Sequence, residues 1–276
     1  MPAPDLQALR EPLIALARDA AARIMAVYAG AFDVEHKDDR SPLTAADLAA
    51  HHCIVAGLER LTPDIPVLSE ESAEDVPTLM RRQWSRLWLV DPLDGTREFV
   101  KRNGEFTVNI ALIDDGTPIL AVVQAPVTGV VWHAQRGVGA FRRDDRSAAD
   151  DDAVEQYRAH ADEAVALHRR AVHDGAMPDR DARTDALLQR MGPTQPMSLG
   201  SSLKFCQLAE GGMDVYPRFG PTSEWDTAAG QCVLEAAGGI VVDPRGRPLR
   251  YNQRDTVLNG DFLALGDPDL PWQTWL

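Results

Sequence analysis

The chain has 276 residues and a formal net charge of −14, from 28 Lys and Arg against 42 Asp and Glu. A chain of this length can bury a core large enough to fold without disulfides or a structural metal. An acidic balance of this size argues against non-specific binding to nucleic acid or to an anionic membrane, because both require a basic face. The three cysteines lie far apart, which indicates a reduced intracellular protein without a zinc site.

The N-terminal segment carries a charge every few residues and lacks the uninterrupted apolar core of a signal peptide. Apolar runs such as Ile119 to Val123 are far shorter than the ~20 residues that span a bilayer. We therefore expect a cytoplasmic protein with no transmembrane segment. Loose association with the inner face of the membrane and the choice between monomer and homodimer stay open.

The first half of the chain alternates between helical and extended patterns. Apolar residues from Leu6 to Val27 recur at helical spacing, and Pro12 is expected to kink this helix or to mark its first turn. A second helix is predicted from Thr44 to Leu58. Strands are then predicted at 66–68, 88–90, 106–113, 119–125, 130–132 and 139–141, with the third and fourth forming an antiparallel pair.

Residues 142–163 are rich in Asp, Arg and Ala with little apolar pattern, so we expect an exposed connection and a domain boundary there. Its acidic run, Asp150 to Asp152, is interpreted as a solvated loop. The predicted division is an N-terminal α+β subdomain, 1–150, and a C-terminal α/β subdomain, 151–276. In the second half, helices are predicted at 181–191, 202–209 and 227–237, and strands at 215–216, 240–242 and 262–264. This alternation indicates layered α/β packing.

A short apolar strand runs directly into the segment Asp91-Pro-Leu-Asp-Gly-Thr96. A turn at this point can aim the side chains of Asp91 and Asp94 at one place. Two carboxylates and the carbonyl oxygen of Leu93 are the ligands that a hard cation such as Mg²⁺ prefers. The segment therefore predicts a divalent-cation site at the end of a buried strand.

The residues after this turn can bind phosphate. Thr96 can cap the following helix, and the backbone N–H groups of Gly95 and Thr96 then face a bound phosphate. The alternative interpretation is an ordinary acidic β-turn followed by a helix cap, since Asp, Pro and Gly are common turn residues. The apolar strand that precedes the segment favours the functional interpretation.

Three further acidic segments lie at the ends of predicted elements. Glu70 and Glu71 follow the strand at 66–68, where paired glutamates usually form a solvent-facing turn. Asp47 stands in a capping-box spacing at the start of a helix, and Asp226 precedes another helix as a candidate N-cap. Each segment alone has an ordinary structural interpretation. The presence of all four together indicates one functional site.

Four short segments resemble the motifs of the inositol monophosphatase superfamily, whose members are metal-dependent, lithium-sensitive phosphatases. They are Thr44-Ala-Ala-Asp47, Ser69-Glu-Glu, Asp91-Pro-Leu-Asp-Gly-Thr96 and Trp225-Asp-Thr-Ala-Ala-Gly230. Residues 101–113, 200–206 and 216–222 are similar to the bacterial 3′(2′),5′-bisphosphate nucleotidases of the CysQ type. The resemblance covers about residues 13–265. It implies an αβαβα sandwich of the inositol monophosphatase and fructose bisphosphatase type, with the metal site between two subdomains.

The resemblance also implies two or three Mg²⁺ ions in this site. Glu70, Asp91 and the carbonyl oxygen of Leu93 would hold one ion. Asp91, Asp94 and Asp226 would hold a second, and two such ions can assist an in-line displacement at phosphorus. Because Asp226 lies about 130 residues from the other ligands, the two halves of the chain must meet to close the site, so a cleft between them is expected.

Roles for the remaining residues follow from the same resemblance. Asp47 and Thr96 would orient and deprotonate the attacking water, with Glu71 beside them. Ser201, Lys204 and Arg218 would contact the 5′-phosphate and the sugar of a nucleotide. The other expected substrate contacts are Leu93, Asp94, Gly95, Thr96 and Asp226. Ser201 and Lys204 lie one turn apart if Ser201 starts a helix. A solvated helix residue is the alternative interpretation of Lys204.

One segment departs from the pattern of these relatives, which carry a Ser-x-Ser-His type sequence near the nucleotide. This chain has Ala171 to Met177 there, and His173 does not occupy a matching position. The departure concerns recognition of the base and leaves the metal site unchanged. His51 and His52 are interpreted as structural because adjacent helix positions cannot face one metal together, and Trp225 is interpreted as core packing.

The function implied is Mg²⁺-dependent hydrolysis of the 3′-phosphate of adenosine 3′,5′-bisphosphate to AMP and phosphate. The sulfate-activated analogue is a second candidate substrate, which would connect the enzyme to sulfur assimilation. The nearest alternative is a phosphatase of the same superfamily that acts on an inositol phosphate or a sugar bisphosphate. A regulator that binds metal or nucleotide without turnover is an alternative of another class, and the charge excludes a nucleic-acid-binding protein.

Overall fold

The computed structural model describes residues 4–30, 34–36, 42–144, 152–153, 169–173 and 182–276. In these ranges the α-helices are α1 (Leu6–Tyr28), α2 (Ala45–Leu61), α3 (Thr78–Arg81), α4 (Thr96–Lys101), α5 (Ala182–Met191), α6 (Leu203–Ala209) and α7 (Glu224–Ala236). The strands are β1 (Val34–His36), β2 (Pro42–Thr44), β3 (Val67–Ser69), β4 (Arg86–Asp94), β5 (Thr107–Asp114), β6 (Thr117–Gln124), β7 (Val130–Gln135), β8 (Gly139–Asp144), β9 (Asp152–Ala153), β10 (Arg169–His173), β11 (Thr194–Ser198), β12 (Val215–Arg218), β13 (Ile240–Val242) and β14 (Phe262–Leu265). Short 3₁₀ helices cover Glu70–Asp75 and Trp272–Thr274.

Two large sheets organise these elements. One has the strand order β3-β4-β5-β6-β7-β8-β9, with β3 parallel to β4 and the remaining pairs antiparallel. The other has the order β11-β10-β12-β14-β13 and mixes parallel and antiparallel pairs. Strands β4, β5 and β6 are buried along most of their length, as is typical of a sheet covered on both faces.

Three hydrophobic clusters show how the layers stack. The first lies between α1, α2 and one face of the seven-stranded sheet, with Trp88 and Ile110 fully buried in it. The second fills the space between the other face of that sheet, helices α6 and α7, and the inner face of the five-stranded sheet. The third lies between the outer face of the five-stranded sheet and α5. The order of layers is αβαβα, which confirms the predicted fold class.

Helix α1 begins where the side chain of Asp5 accepts hydrogen bonds from the backbone N–H groups of Gln7 and Ala8. Pro12 lies inside α1, so the expectation that it marks the first turn is wrong. No helix in the described part of the chain is long and apolar enough to cross a membrane.

The exposed connection predicted at 142–163 begins later than residue 142 in the structure. Residues 142–144 belong to β8, and Asp152 of the acidic run pairs with Arg142 as part of β9. Asp150, Asp151 and residues 154–163 lie outside the described residues. Helix α7, from the C-terminal half of the sequence, packs on strands β4 to β8 of the N-terminal half, so the two halves share one core layer. The division at residue 150 stays a prediction.

Helices α6 and α7 approach closely at Gly230. A Cβ atom at this position would lie 2.4 Å from Cδ2 and 2.8 Å from Cβ of Phe205. Contacts this short include the inner atoms of the phenylalanine, which cannot move without displacing α6. The absence of a side chain at Gly230 therefore sets the distance between the two helices.

We expect Gly230→Ala to lower the free energy of unfolding by about 1–2 kcal/mol, because overpacking outweighs the better helix propensity of alanine. Chemical denaturation compared with wild type measures the change. Gly260→Ala is the control, since its new Cβ would meet nothing within 4 Å. Equal stabilities of the two variants would contradict the close approach of α6 and α7.

Candidate active site

A β-bulge places two carboxylates on one face of β4. Asp91 and Asp94 are three residues apart, a spacing that puts side chains on opposite faces of a regular strand. Asp91 pairs with Asn109 and Asp94 pairs with Thr107, so β4 contains one residue more than β5 between these pairs. The extra residue rotates the strand and brings both carboxylates to the same side. The strand predicted at 88–90 is too short, because β4 extends from Arg86 to Asp94 and includes both carboxylates.

The turn after the bulge requires glycine. Gly95 has φ +91°, and a Cβ there would lie 3.1 Å from the carbonyl oxygen of Glu105. Gly95 is the N-cap of α4 and Thr96 its first residue, so the prediction that Thr96 caps this helix is wrong. The Thr96 hydroxyl instead donates to the carbonyl oxygen of Leu93 at 3.3 Å. This contact holds Thr96 beside the carbonyl that was predicted to bind metal.

Helix α2 and strand β3 bring three acidic side chains to the same region. Asp47 is the third residue of α2, as the capping-box spacing predicts, and it is fully buried. One turn further along α2, His51 Nδ1 lies 2.9 Å from the hydroxyl of Ser69, the last residue of β3. Glu70 and Glu71 follow immediately and begin a 3₁₀ helix. Burial and the neighbouring His52 lower the pKa of His51, against the opposing charge of Glu71.

Asp226 enters the site from the first turn of α7. This helix begins at Glu224 with Ser223 as its N-cap, so Asp226 is its third residue and the predicted N-cap role is wrong. The Asp226 carboxylate accepts the backbone N–H of Ser223 at 2.8 Å and completes a capping box. The buried Trp225 beside it confirms the expected packing role. The capping box fixes the direction of the Asp226 side chain.

A buried polar network supports the first turn of α7 from behind. Glu224 is completely buried and accepts bonds from Arg254 at 2.9 Å and from the backbone of Asn252 at 2.7 Å. Burial raises the pKa of Glu224, and these two partners oppose the rise. Asn259 donates to the carbonyl oxygen of the N-cap residue at 2.9 Å, and Arg81 donates to the side chain of Asn252 at 2.9 Å. Hydrogen bonds through Asn252 thus connect α3 with the first turn of α7.

The acidic side chains share one electrostatic field. Burial raises the pKa of Asp91 well above its usual range, and the charges of Glu70, Asp94, Asp226 and Asp47 raise it further. Asp91 is almost fully buried, so solvent does little to screen these charges. The structure therefore brings together five of the acidic residues predicted from the sequence.

Asp226 shows the same effect from the other half of the chain. Burial raises the pKa of Asp226, and the charges of Asp94 and Glu70 add to the rise. The N–H of Ser223 and the charge of Arg218 act in the opposite direction. Arg218 is thus close enough to interact with the carboxylate cluster, while its guanidinium also donates to the carbonyl oxygen of Pro221 at 3.1 Å.

The donor set fits a hard divalent cation, because it consists of carboxylate and carbonyl oxygens whose mutual repulsion a cation would relieve. Among the described residues, no group of three or more His, Cys, Asp and Glu side chains is already gathered at metal-binding distances.

The segment before α6 lies against the β5 region. Gly200 donates its backbone N–H to the carboxylate of Glu105 at 2.9 Å, and a Cβ there would lie 2.5 Å from the Glu105 carbonyl oxygen. Ser201 follows with φ +50°, in the left-handed region. Helix α6 begins at Leu203 with Ser202 as its N-cap, one residue later than the predicted start, so Ser201 lies outside the helix.

Lys204 is buried in the first turn of α6 and is only 4% exposed, so the alternative of a solvated helix residue is wrong. Its ammonium group donates to the carbonyl oxygen of Leu199 at 3.2 Å. The same nitrogen lies 5.2 Å from the centre of the Tyr216 ring, within range of a cation–π contact. A buried cation in this position is suited to an anionic ligand.

Three polar residues with no role predicted from the sequence lie beside the predicted site residues. Thr107, Asn109 and Ser202 are buried and hydrogen-bonded to one another or to the predicted site residues. The sequence pattern could have indicated two of them, since Thr107 and Asn109 are polar residues at alternate positions of an otherwise apolar strand.

The segment that departs from the pattern of the relatives, Ala171 to Met177, is described only in part. His173 lies in β10, and residues 174–177 lie outside the described residues.

Comparison with known proteins finds relatives with similar sequences and a solved structure with a similar fold. A 3′(2′),5′-bisphosphate nucleotidase CysQ of Escherichia coli O157:H7 is 50% identical over 257 residues, which cover 90% of this chain and 95% of that protein. A CysQ of Salmonella typhimurium is 48% identical over 91% of this chain and 97% of that protein. The crystal structure of CysQ from Bacteroides thetaiotaomicron superposes with a TM-score of 0.75 at 38% identity, covering 92% of this chain and 96% of that one.

The family-level match covers almost the whole sequence. Residues 5–266 match the inositol monophosphatase family, a range that contains every acidic residue of the cluster. Members of this family are metal-dependent phosphatases, in agreement with the oxygen-rich donor set described above. The sequence match, the shared fold and the converging carboxylates together show that the chain belongs to the inositol monophosphatase family.

Proposed function

We propose that this protein is a Mg²⁺-dependent 3′(2′),5′-bisphosphate nucleotidase that converts adenosine 3′,5′-bisphosphate to AMP and phosphate. The observation that carries the proposal is the cluster of carboxylates around the buried Asp91, which includes ligands from both halves of the chain. Identity near 50% to CysQ nucleotidases over 90% of the chain supports the choice of substrate. The 3′-phosphate of the sulfate-activated analogue is proposed as a second substrate.

Five residues would hold two or three Mg²⁺ ions. Glu70, Asp91 and the carbonyl oxygen of Leu93 form one set of ligands, and Asp91, Asp94 and Asp226 form the other. When bound, the ions would neutralise the cluster, lower the pKa of a bound water and stabilise the charge on the leaving oxygen. Asp91 belongs to both sets, in keeping with its place at the centre of the electrostatic interactions.

Asp47 and Thr96 are proposed to hold the attacking water. The Thr96 hydroxyl orients it, and the buried Asp47 carboxylate accepts its proton. The water oxygen forms a bond to phosphorus while the bond from phosphorus to the 3′-oxygen breaks. The 3′-oxygen leaves and takes up a proton from solvent, and Asp47 releases its proton to solvent, so that AMP and phosphate are the products and no residue is modified. Glu71 is proposed to support this arrangement through its charge on His51.

The substrate contacts are proposed at three side chains and at the turn after β4. Lys204 and Arg218 supply the positive charge that the 5′-phosphate requires, and Ser201 contacts the sugar. Backbone N–H groups of Gly95 and Thr96 face the 3′-phosphate. These local cations offset the overall negative charge of the protein, which would otherwise repel a bisphosphate.

We expect phosphate release from adenosine 3′,5′-bisphosphate in the presence of Mg²⁺, no release after addition of a chelator, and much slower release from inositol 1-phosphate. A phosphate assay with both substrates measures these rates. Faster release from inositol 1-phosphate would reject the nucleotide and keep the phosphatase. Absence of release from both would reject the enzyme and favour a regulator that binds without turnover.

Replacement of the proposed base gives a second prediction. Asp47→Asn should lower kcat by about 10²–10⁴-fold, the usual contribution of a general base, with little change in KM. Glu59→Gln is the matched control, because Glu59 is an exposed carboxylate on the same helix. Steady-state kinetics at saturating Mg²⁺ measure both constants. A kcat for Asp47→Asn within a few-fold of the control would remove Asp47 from the mechanism.

A further inference from the structure

Asn109 is a buried amide in the middle of an apolar strand. Only 1% of its surface is exposed, and it stands directly opposite Asp91 in the pairing of β5 with β4. An amide in such a place destabilises the fold unless its donors and acceptor are bonded. The partners of its hydrogen bonds therefore indicate which groups Asn109 orients.

Both protons of the Asn109 amide are used. Nδ2 donates to Oδ2 of Asp94 at 3.2 Å and to the hydroxyl of Ser202 at 3.0 Å. Its oxygen accepts the hydroxyl proton of Thr107 at 2.9 Å. Because a flipped amide would turn its oxygen toward the Asp94 carboxylate, this set of bonds permits one orientation only.

Ser202 continues the connection to the other half of the chain. Its backbone N–H donates to the same Oδ2 of Asp94 at 2.7 Å, and its hydroxyl donates to the carbonyl oxygen of Asp226 at 2.8 Å. Oδ2 of Asp94 thus accepts two N–H donors, which fix the plane of the carboxylate. Two predicted metal ligands, Asp94 from β4 and Asp226 from α7, are joined through one serine.

Thr107 extends the network toward the substrate side. Its hydroxyl oxygen lies 3.3 Å from the hydroxyl of Ser201, the residue with φ +50°. The network therefore contacts a carboxylate proposed to bind metal and a hydroxyl proposed to bind sugar. It lies within the seven-stranded sheet and the start of α6, both of which are well packed.

We infer that Asn109 is a positioning residue, which holds Asp94 in the orientation required for the cation and ties it through Ser202 to Asp226. This inference rests on the proposed function, because it assigns Asn109 to the metal site of that reaction. The physical need is clear from the cluster itself, where like charges repel and would drive Asp94 away from its neighbours. Hydrogen bonds to ligating carboxylates typically change metal affinity 10–100-fold.

The test replaces Asn109 by leucine, which is close in shape and has no polar atoms. The Mg²⁺ concentration for half-maximal thermal stabilisation, without substrate, should rise about 10-fold. The Mg²⁺ concentration for half-maximal activity should rise by the same factor. KM for the nucleotide at saturating Mg²⁺ should change much less, since the substrate contacts remain. Gln124→Leu is the control, because it removes a buried amide from the neighbouring strand outside the network.

Two further variants separate positioning from stability. Thr107→Val keeps the shape of the residue and removes the bond that orients the amide, so a smaller rise in the same direction is expected. Ser202→Ala and Asn109→Leu should combine non-additively in their effect on Mg²⁺ affinity. If Asn109→Leu lowers the melting temperature but leaves both Mg²⁺ midpoints at the values of Gln124→Leu, the positioning role is rejected. If wild type itself shows no stabilisation by Mg²⁺, the proposed function fails together with this inference.

Discussion

Repulsion among buried carboxylates is the constraint on which the rest of this structure depends. Asp91 lies out of solvent beside the charges of Glu70, Asp94, Asp226 and Asp47, an arrangement that no isolated turn or helix end would maintain. The carboxylates enter the cluster on four elements: Asp91 and Asp94 on the bulged strand β4, Asp226 in the capping box of α7, Asp47 in the buried first turn of α2 and Glu70 at the start of a 3₁₀ helix. The fold holds together charges that would separate without it, as is common where function opposes stability.

The layered packing explains why the cluster forms where it does. Helix α7 lies between the two sheets and points its first turn at the bulge of β4, while α6 packs against it at the contact of Gly230 with Phe205. The polar network of Glu224 and Arg254 holds that turn from behind, and Ser202 holds it from the front. Ligands distant in sequence are thus placed by one shared core layer.

The sequence predicted elements whose pattern is strong and local, such as α1 and the hairpin of β5 and β6. It also predicted the acidic segments, because each lies at one end of a regular element. It missed the bulge between Asp91 and Asp94, since a single extra residue depends on the partner strand. The start of α7 was placed too late because Ser223 and Asp226 cap each other. Strand β11 was missed because it is mostly exposed and lacks apolar alternation, and Asn109 because its partner Ser202 is 93 residues away.

The most direct test of the account is thermal unfolding of wild type and Asp91→Asn, with chelator and with Mg²⁺. A carboxyl with a raised pKa in the folded state loses its stabilising effect as the pH rises through that pKa. We therefore expect that, in chelator at neutral pH, Asp91→Asn melts at least as high as wild type, and that this advantage is larger than near pH ~4, where the carboxyl is also partly protonated in the unfolded chain. With Mg²⁺, wild type should gain stability and Asp91→Asn should gain little. A variant that melts below wild type in chelator, or that responds fully to Mg²⁺, would contradict the account.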